Sequence, residues 1–519
     1  MDPHVASFRE LLDLASQTEG RDLHRAIRRA RWIAEASDEQ VAELLRLIAD
    51  RQALAGEATA ALIETLFILL QQRSRESKSG FAADWVTVLR GLHARFPADS
   101  GPAAALLGWL AMAGTRESLA LFVQLLITSP PTDERLTAMV LSPLFQRDHY
   151  PAEALFPSLL QTLAHPSLAA AVLDLGNFLF RQKRLAPHPA ADRKDELLAM
   201  LNELTNSLER LEERPDEKRS PQEVGQIVAR SVALTVAVCD TLALLGDPAA
   251  IPRLQQTLDL HHRRIRTEAA AALARLGDER GREELVQLAA EPVARLRVLA
   301  YAEELGLMAR VDPEFATPEA RAEAELVVRL AEPTQFGIPP GECELIDRRK
   351  QNWPGYREPV DCFLFRFTYR VTIEGEGERT YSNIGIAGPV AHAFTADLAD
   401  LPPDDIYAAY AGWQAEHPDI MEVEVERLSK SEKLEVTRLE RRLHDAGYRD
   451  VQPQFMGYLF GEKALAANCT REGTPGTAIV DFDDAWFFPA RRPQRAVGPR
   501  EAYCIYKGRK LLKAFNPAS

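Results

Sequence analysis

The chain has 519 residues, 46% of them hydrophobic and 27% charged, with a formal net charge of −14. These are ordinary globular proportions. They exclude a wholly disordered, collagen-like or low-complexity protein, and the length corresponds to about three domains of roughly 150 residues. Net acidity argues against a general nucleic-acid binder, because phosphate recognition requires clustered Lys and Arg.

The start, MDPHVASFRELLDLA, has no basic flank ahead of an apolar core and does not read as a secretory signal. No run of about 18 apolar residues occurs, so no membrane span is expected. The richest candidate, Val232 to Leu245, is interrupted by Thr235, Asp240 and Thr241. Cys239, Cys343, Cys362, Cys469 and Cys504 are scattered, with no CxxC pair. That spacing argues against a disulfide framework or a structural zinc site and fits a reducing cytoplasm.

Residues 1–310 read as helix after helix. Leu, Ala, Glu, Arg and Gln dominate, and apolar residues recur at three- and four-residue steps, as in Val41, Leu44, Leu45 and Ile48. Ala113-Gly114-Thr115-Arg116-Glu117-Ser118-Leu119 reads as a unit start that leads into Phe122, Leu125 and Leu126, and Leu175-Gly176-Asn177 as the close of a later unit. Near residues 181–224 a charged insertion is expected, with Pro187, Pro189, Pro215 and Pro221 around a helix near Asp192–Glu213. Glu212 to Arg219 reads as a solvated loop.

The most specific signal is an internal repeat. Residues 242–272 align with 273–303 at an offset of 31, with eleven identities that include Leu245/Leu276, Gly246/Gly277, Asp247/Asp278, Arg264/Arg295 and Arg266/Arg297. Gly246 can end a helix in the left-handed conformation, Asp247 can cap the next, and Pro248 suits its first turn. Ile251, Leu254 and Leu258 form one apolar face, and Ile265, Ala269, Ala272, Leu273 and Leu276 a second. A two-helix unit of this size cannot bury both faces alone, so neighbours must stack on it. Gly-Asp-Pro-Ala-Ala-Ile-Pro-x-Leu, followed by Arg-x-x-Ala-Ala-x-Ala-Leu-x-x-Leu-Gly-Asp, resembles HEAT repeats of the short, phycobilin-lyase-like variety over about residues 238–306. The resemblance implies an α-solenoid. It also implies structural roles for Gly246, Asp247, Arg266, Gly277, Asp278 and Arg297, with the two aspartates and two arginines forming a polar ladder between repeats.

Residues 311–341 read as a linker with a short helix that starts at Pro318 and runs to about Ala331. The texture changes near Phe336. Residues 342–519 read as an α+β domain with an antiparallel sheet covered by two helices. Cys362 to Glu374 alternates as a strand with one buried aromatic face, and Arg379 to Ala387 is its hairpin partner across the turn at 374–378. Further strands are expected at Phe455–Phe460, Thr477–Phe482 and Ala502–Tyr506. Helices are expected after Pro402-Pro403, with Ile406, Tyr410 and Trp413 as a stripe, and from Ser429, where Glu432 completes a capping box, to His444. The whole is a multidomain chain, an all-α HEAT-like solenoid followed by an α+β domain.

No catalytic set emerges. His261 and His262 are adjacent, and chelation from one helix needs a spacing of three or four. Asp481, Asp483 and Asp484 fit a turn at a strand end better than a cation site. Gly457-x-x-x-Gly461-Glu462-Lys463 lacks the phosphate-loop spacing, and no Gly-x-Ser-x-Gly occurs. No cofactor and no metal are expected. Residues 397–426 carry nine acids and no Lys or Arg, whereas Arg491, Arg492, Arg495, Arg500, Lys507, Arg509, Lys510 and Lys513 stand against one acid in residues 490–519. The basic run reads either as a surface for an anionic partner or as an intramolecular partner of the acidic run.

Residues 1–335 carry a net charge of −10, which argues against nucleic acid on the helical half. The function read from these features is a non-catalytic protein–protein interaction scaffold or adaptor in the cytoplasm. The alternative is an enzyme or chromophore-handling protein, bilin-lyase-like by family analogy, and nucleic-acid binding stands third.

Overall fold

A computed structural model describes residues 3–16, 30–51, 56–76, 85–213, 220–373 and 377–516. Contacts divide the chain into two compact units, residues 1–285 and 286–519. The turn expected at 374–378 and the loop expected at Glu212–Arg219 lie partly outside the described residues, at 374–376 and 214–219.

The first unit holds helices α1 (Pro3–Ala15), α2 (Asp38–Ala49), α3 (Glu57–Glu76), α4 (Trp85–His93), α5 (Gly101–Ala113), α6 (Arg116–Thr128), α7 (Glu134–Gln146), α8 (Pro166–Arg181), α9 (Lys194–Glu213), α10 (Pro221–Leu245), α11 (Ile251–Leu258) and α12 (Arg263–Arg275). Helix α13 (Glu279–Gln287) crosses the division. Most helices pack on the one two places along, and α7 instead packs on α8 next to it. Helix α3 meets α5, which meets α7, while α2 meets α4, which meets α6; later α8 meets α10, which meets α12, and α9 meets α11. That alternation makes two layers, the arrangement of a solenoid. Helix α5 is apolar all round and buried along almost its whole length. It is the kind of helix that only an interior position can stabilise.

Local chemistry fixes the boundaries. Gly114 ends α5 at φ 64°, and Thr115 with Ser118 forms the capping box that starts α6. The boundary expected at Leu175–Asn177 is absent, because these residues lie inside α8. Gly176 makes room for Phe156 and Pro189 there, and the buried Asn177 side chain is spent on hydrogen bonds. The stretch read as a charged insertion contributes α9, whose Leu197, Leu201, Thr205 and Leu208 are buried. It packs against α10 and α11 as a member of the layers.

Contrary to expectation, α10 contains a segment, Gln222–Leu245 with mean hydropathy 1.8, that is long and apolar enough to cross a membrane by length and composition. Its apolar length has a second explanation here. The helix packs on α8, α9 and α12, and its Asp240 is ion-paired with Arg181 of α8.

The second unit contains α14 (Pro292–Glu304) and α15 (Pro318–Leu330). Strands β1 (Glu342–Gln351), β2 (Val360–Ile373), β3 (Gly377–Ala387) and β4 (His392–Ala393) form one antiparallel sheet in sequential order. After α16 (Pro403–Gln414), strands β5 (Ile420–Glu424), β6 (Arg449–Leu459), β7 (Glu462–Arg471), β8 (Thr474–Val480) and β9 (Ala485–Pro489) form a second, with α17 (Lys430–Asp445) between β5 and β6. Helix α18 (Pro499–Phe515) follows. Two sheets thus replace the single one expected.

The layers follow from the buried faces. Ala322, Leu326 and Leu330 of α15 cover the Phe363, Phe365, Phe367 and Tyr369 face of β2. The opposite face, Cys362 and Leu364, meets α16 and α18, which also cover Phe455, Ala466 and Ile479 of the second sheet. Val436, Leu439 and Leu443 of α17 cover that sheet's far side. The first half of β2 is therefore buried on both faces, where one was expected. The strand expected at Ala502–Tyr506 is part of α18. Gly498 and Pro499 start that helix, and both of its flanks are apolar because it lies between two sheets.

Candidate functional site

Residues 246–285 present the repeat at close range. Gly246 ends α10 at φ 71°. Asp247 caps the following turn by accepting from Ala249 N at 2.8 Å, and its other oxygen takes Lys194 Nζ of α9 at 2.6 Å. That ammonium, with the hydrogen bonds, holds the Asp247 carboxyl below its usual range. Gly277 stands at φ 86°, and Asp278 accepts from Gly281 N and Gln255 Nε2, both at 3.0 Å. Arg266 of α12 is ion-paired with Glu284 of α13. The two aspartates therefore share one capping role and differ in their side-chain partners. Arg297 lies exposed on α14.

The repeat is not equivalent at every position. Arg264 is exposed on α12, whereas its counterpart Arg295 on α14 is 3% exposed. Arg295 donates to Ala289 O at 2.9 Å and to Ala320 O at 2.8 Å, and its Nη1 meets Glu323 Oε2 at 2.6 Å. It joins α14 to α15.

A cleft of about 760 Å³ opens between α9 and α11. Asn202, Asn206, Glu209 and Glu213 recur at helical spacing along its α9 wall, and Arg253 and Gln256 belong to the α11 wall. Thr205 Oγ1 and Thr257 Oγ1 meet at 3.0 Å across the two helices, and Leu208 and Leu260 pack in the apolar cluster there. Sequence reasoning missed this site because it treated α9 as an insertion. The available signal was the Leu197, Leu201, Leu208 stripe, which needs a partner helix.

The basic run at 491–513 meets the acidic run at 397–426. Arg491 lies 3.1 Å from Asp400, and Arg492 lies 2.9 Å and Arg495 3.6 Å from Asp397. Arg500 reaches Glu424 at 3.6 Å, and Arg509 reaches Asp405 at 2.7 Å. Arg495 also stacks on Tyr381 at 3.9 Å and donates to Ser382 O at 2.6 Å. Lys510 pairs with Glu462 at 2.9 Å, Lys507 is buried with its ammonium 5.7 Å from the Tyr503 ring centre, and Lys513 is exposed on α18. Of the two readings of this run, the intramolecular one matches these ion pairs.

A buried polar network ties α8, α10 and α12. Ala190 N–H donates to His188 Nδ1 at 3.2 Å, so the ring proton sits on Nε2 and is donated to Asn177 Oδ1 at 3.0 Å. Thr241 donates to the same oxygen, and Asn177 Nδ2 donates to Asp240 at 3.0 Å. Arg181 and Arg275 flank Asp240. Burial pushes the His188 imidazole down to about 4. These roles are structural.

Among the described residues, no three His, Cys, Asp or Glu side chains are grouped to hold a metal ion. Asp481 accepts from Asp483 N at 2.8 Å and Asp484 N at 2.7 Å, which makes the acidic triplet a turn between β8 and β9. His261 lies in the turn after α11, and His262 stands at the N-cap of α12.

A family model for HEAT repeats matches residues 226–306. No curated protein matches the chain, and no solved structure does.

Proposed function

We propose that this chain is a non-catalytic protein–protein interaction scaffold or adaptor built on a HEAT-like solenoid. The observation that carries the reading is the HEAT-repeat match at 226–306, preceded by helices most of which pack on the one two places along. Such repeats are common in interaction scaffolds, because stacked helix pairs create long exposed surfaces without needing a catalytic pocket. The 31-residue unit favours the short, phycobilin-lyase-like variety of repeat. The sheet unit is read as a second recognition or regulatory module. We place the protein in a reducing cytoplasm, in keeping with its five free cysteines.

The test is crosslinking of the full-length chain in native lysate, followed by mass spectrometry of the crosslinked peptides. Crosslinks from residues 226–306 to a recurring protein are expected. A chain that crosslinks to no protein, yet retains a small molecule in native mass spectrometry, would return the reading to the chromophore-handling or enzymatic alternative.

A further inference from the structure

Resting on the scaffold reading, we infer that the cleft between α9 and α11 is a partner-binding site, and that its occupant is an extended peptide segment bearing Lys or Arg side chains. The cleft holds about 760 Å³ and lies at the edge of the matched HEAT segment. Its α9 wall, from Asn202 to Glu213, runs roughly 16 Å at 1.5 Å per residue. That accommodates about five residues of extended chain at ~3.3 Å each.

The chemistry of the lining selects the occupant. Four carboxylates, Glu209, Glu212, Glu213 and Asp259, stand with two basic groups, Arg253 and His261. Arg253 donates to Gln256 at 2.8 Å, Glu212 accepts from His261 N at 3.2 Å, and Arg280 pairs with Asp259. Glu209 and Glu213 line the cleft outside these pairs and are exposed. They present negative charge to whatever enters.

A second feature points to a polypeptide rather than a bare cation. Asn202 and Asn206 on one wall and Gln256 on the other supply amides that both donate and accept, which suits the N–H and C=O groups of an extended backbone. Phosphate-bearing ligands are disfavoured by the same carboxylates. The charges lie at an open rim, so they steer association and are screened by salt.

The test uses the full-length protein and fluorescence anisotropy. The probes are a labelled hexapeptide of alternating Lys and Ala, its Glu/Ala counterpart, and unlabelled spermidine as a competitor. The Lys/Ala peptide is expected to bind, more weakly at high salt. The Glu209→Gln, Glu213→Gln double variant is expected to lose about tenfold in affinity. A control double variant, Glu416→Gln with Glu422→Gln, neutralises two exposed acids of the sheet unit and is expected to bind like the parent. Matching melting curves for all three proteins confirm folding.

Equal loss in the control, equal binding of the Glu/Ala peptide, complete displacement by micromolar spermidine, or no binding of the Lys/Ala peptide would overturn the assignment. A partner crosslinked equally by the parent and the cleft variant would also overturn it, while leaving the scaffold reading intact. A parent that crosslinks to no protein removes the scaffold reading itself.

Discussion

Gly412 of α16 and Gly508 of α18 take reciprocal places where the two helices cross. A Cβ at Gly412 would lie 2.0 Å from the Cys504 carbonyl oxygen, and one at Gly508 would lie 1.8 Å from that of Ala408. Backbone faces backbone at this crossing. Alanine would raise helix propensity by about 1 kcal/mol. The clash is with main chain, which no rotamer change relieves, and overpacking of this kind costs about 1–3 kcal/mol or more. Gly508→Ala is therefore expected to destabilise the sheet unit. Urea titration followed by tryptophan fluorescence checks this, and an unchanged or raised midpoint refutes it.

The Arg264/Arg295 pair tests how far a repeated residue has a repeated role. Arg295→Met removes one partner of a buried ion pair and leaves Glu323 and the carbonyls of Ala289, Ala290 and Ala320 unanswered, at about 3 kcal/mol or more. Arg264→Met, at the exposed repeat-equivalent position, should stay within about 0.5 kcal/mol of the parent. Thermal melts of the two variants should separate clearly. Equal shifts would mean the burial difference carries no energy.

His188 makes stability depend on pH. Its folded imidazole titrates near 4 rather than near the ordinary 6.5, because burial opposes its charge. Below about 6.5 the unfolded chain takes up a proton that the folded chain refuses. Stability therefore falls as pH drops through the window from 6.5 to about 4, by up to roughly 3 kcal/mol. His392, stacked on Trp413 at 4.1 Å, is also pushed down to about 4 and acts in the same direction. The informative quantity is thus the difference between parent and His188→Gln. The variant should lose less stability between pH 7 and pH 4.5, and parallel curves would show that His188 contributes nothing.

Asp397 is the hub of the charge clamp in the sheet unit. Its carboxylate is 9% exposed and faces both Arg492 and Arg495. Asp397→Asn leaves two guanidiniums without their anion, with an expected cost of about 3 kcal/mol. Arg491→Gln and Arg500→Gln break exposed pairs and should each cost under about 1 kcal/mol. Chemical denaturation at low and high salt ranks the three. A ranking with Arg500→Gln as the most damaging would contradict the burial argument.

Legibility in the sequence followed locality. The capping box at Ser429, the helix from Pro318 and the β2–β3 hairpin depend on residues a few positions apart, and each is legible in the sequence. Gly246 and Gly277 were legible because a helix stop of this kind needs positive φ. The misses were residues whose meaning depends on distant neighbours. Asn177 imitates a helix end until His188 and Asp240 are placed beside it. Ala502 to Tyr506 imitates a strand because α18 is covered on opposite flanks. Strand β7 is alanine-rich and has no alternation. The tight turns at Phe460-Gly461 and Glu472-Gly473, all four residues at positive φ, were its signal. The α9–α11 cleft was hidden for the same reason, since its walls come from segments read as an insertion and a repeat.

The place of α18 between two sheets bears on how the chain is made. In the helical unit, neighbours in space are near neighbours in sequence, so a nascent chain can bury each helix soon after it leaves the ribosome. The sheet unit has no such option. Cys362 and Tyr503 belong to one core, and Tyr503 is translated long after Cys362. Until α18 emerges, the core it shares with α16 and the two sheets stays incomplete. That interval is when this protein most needs a chaperone, and premature termination before Pro499 would leave a product fit for degradation rather than a shorter working form.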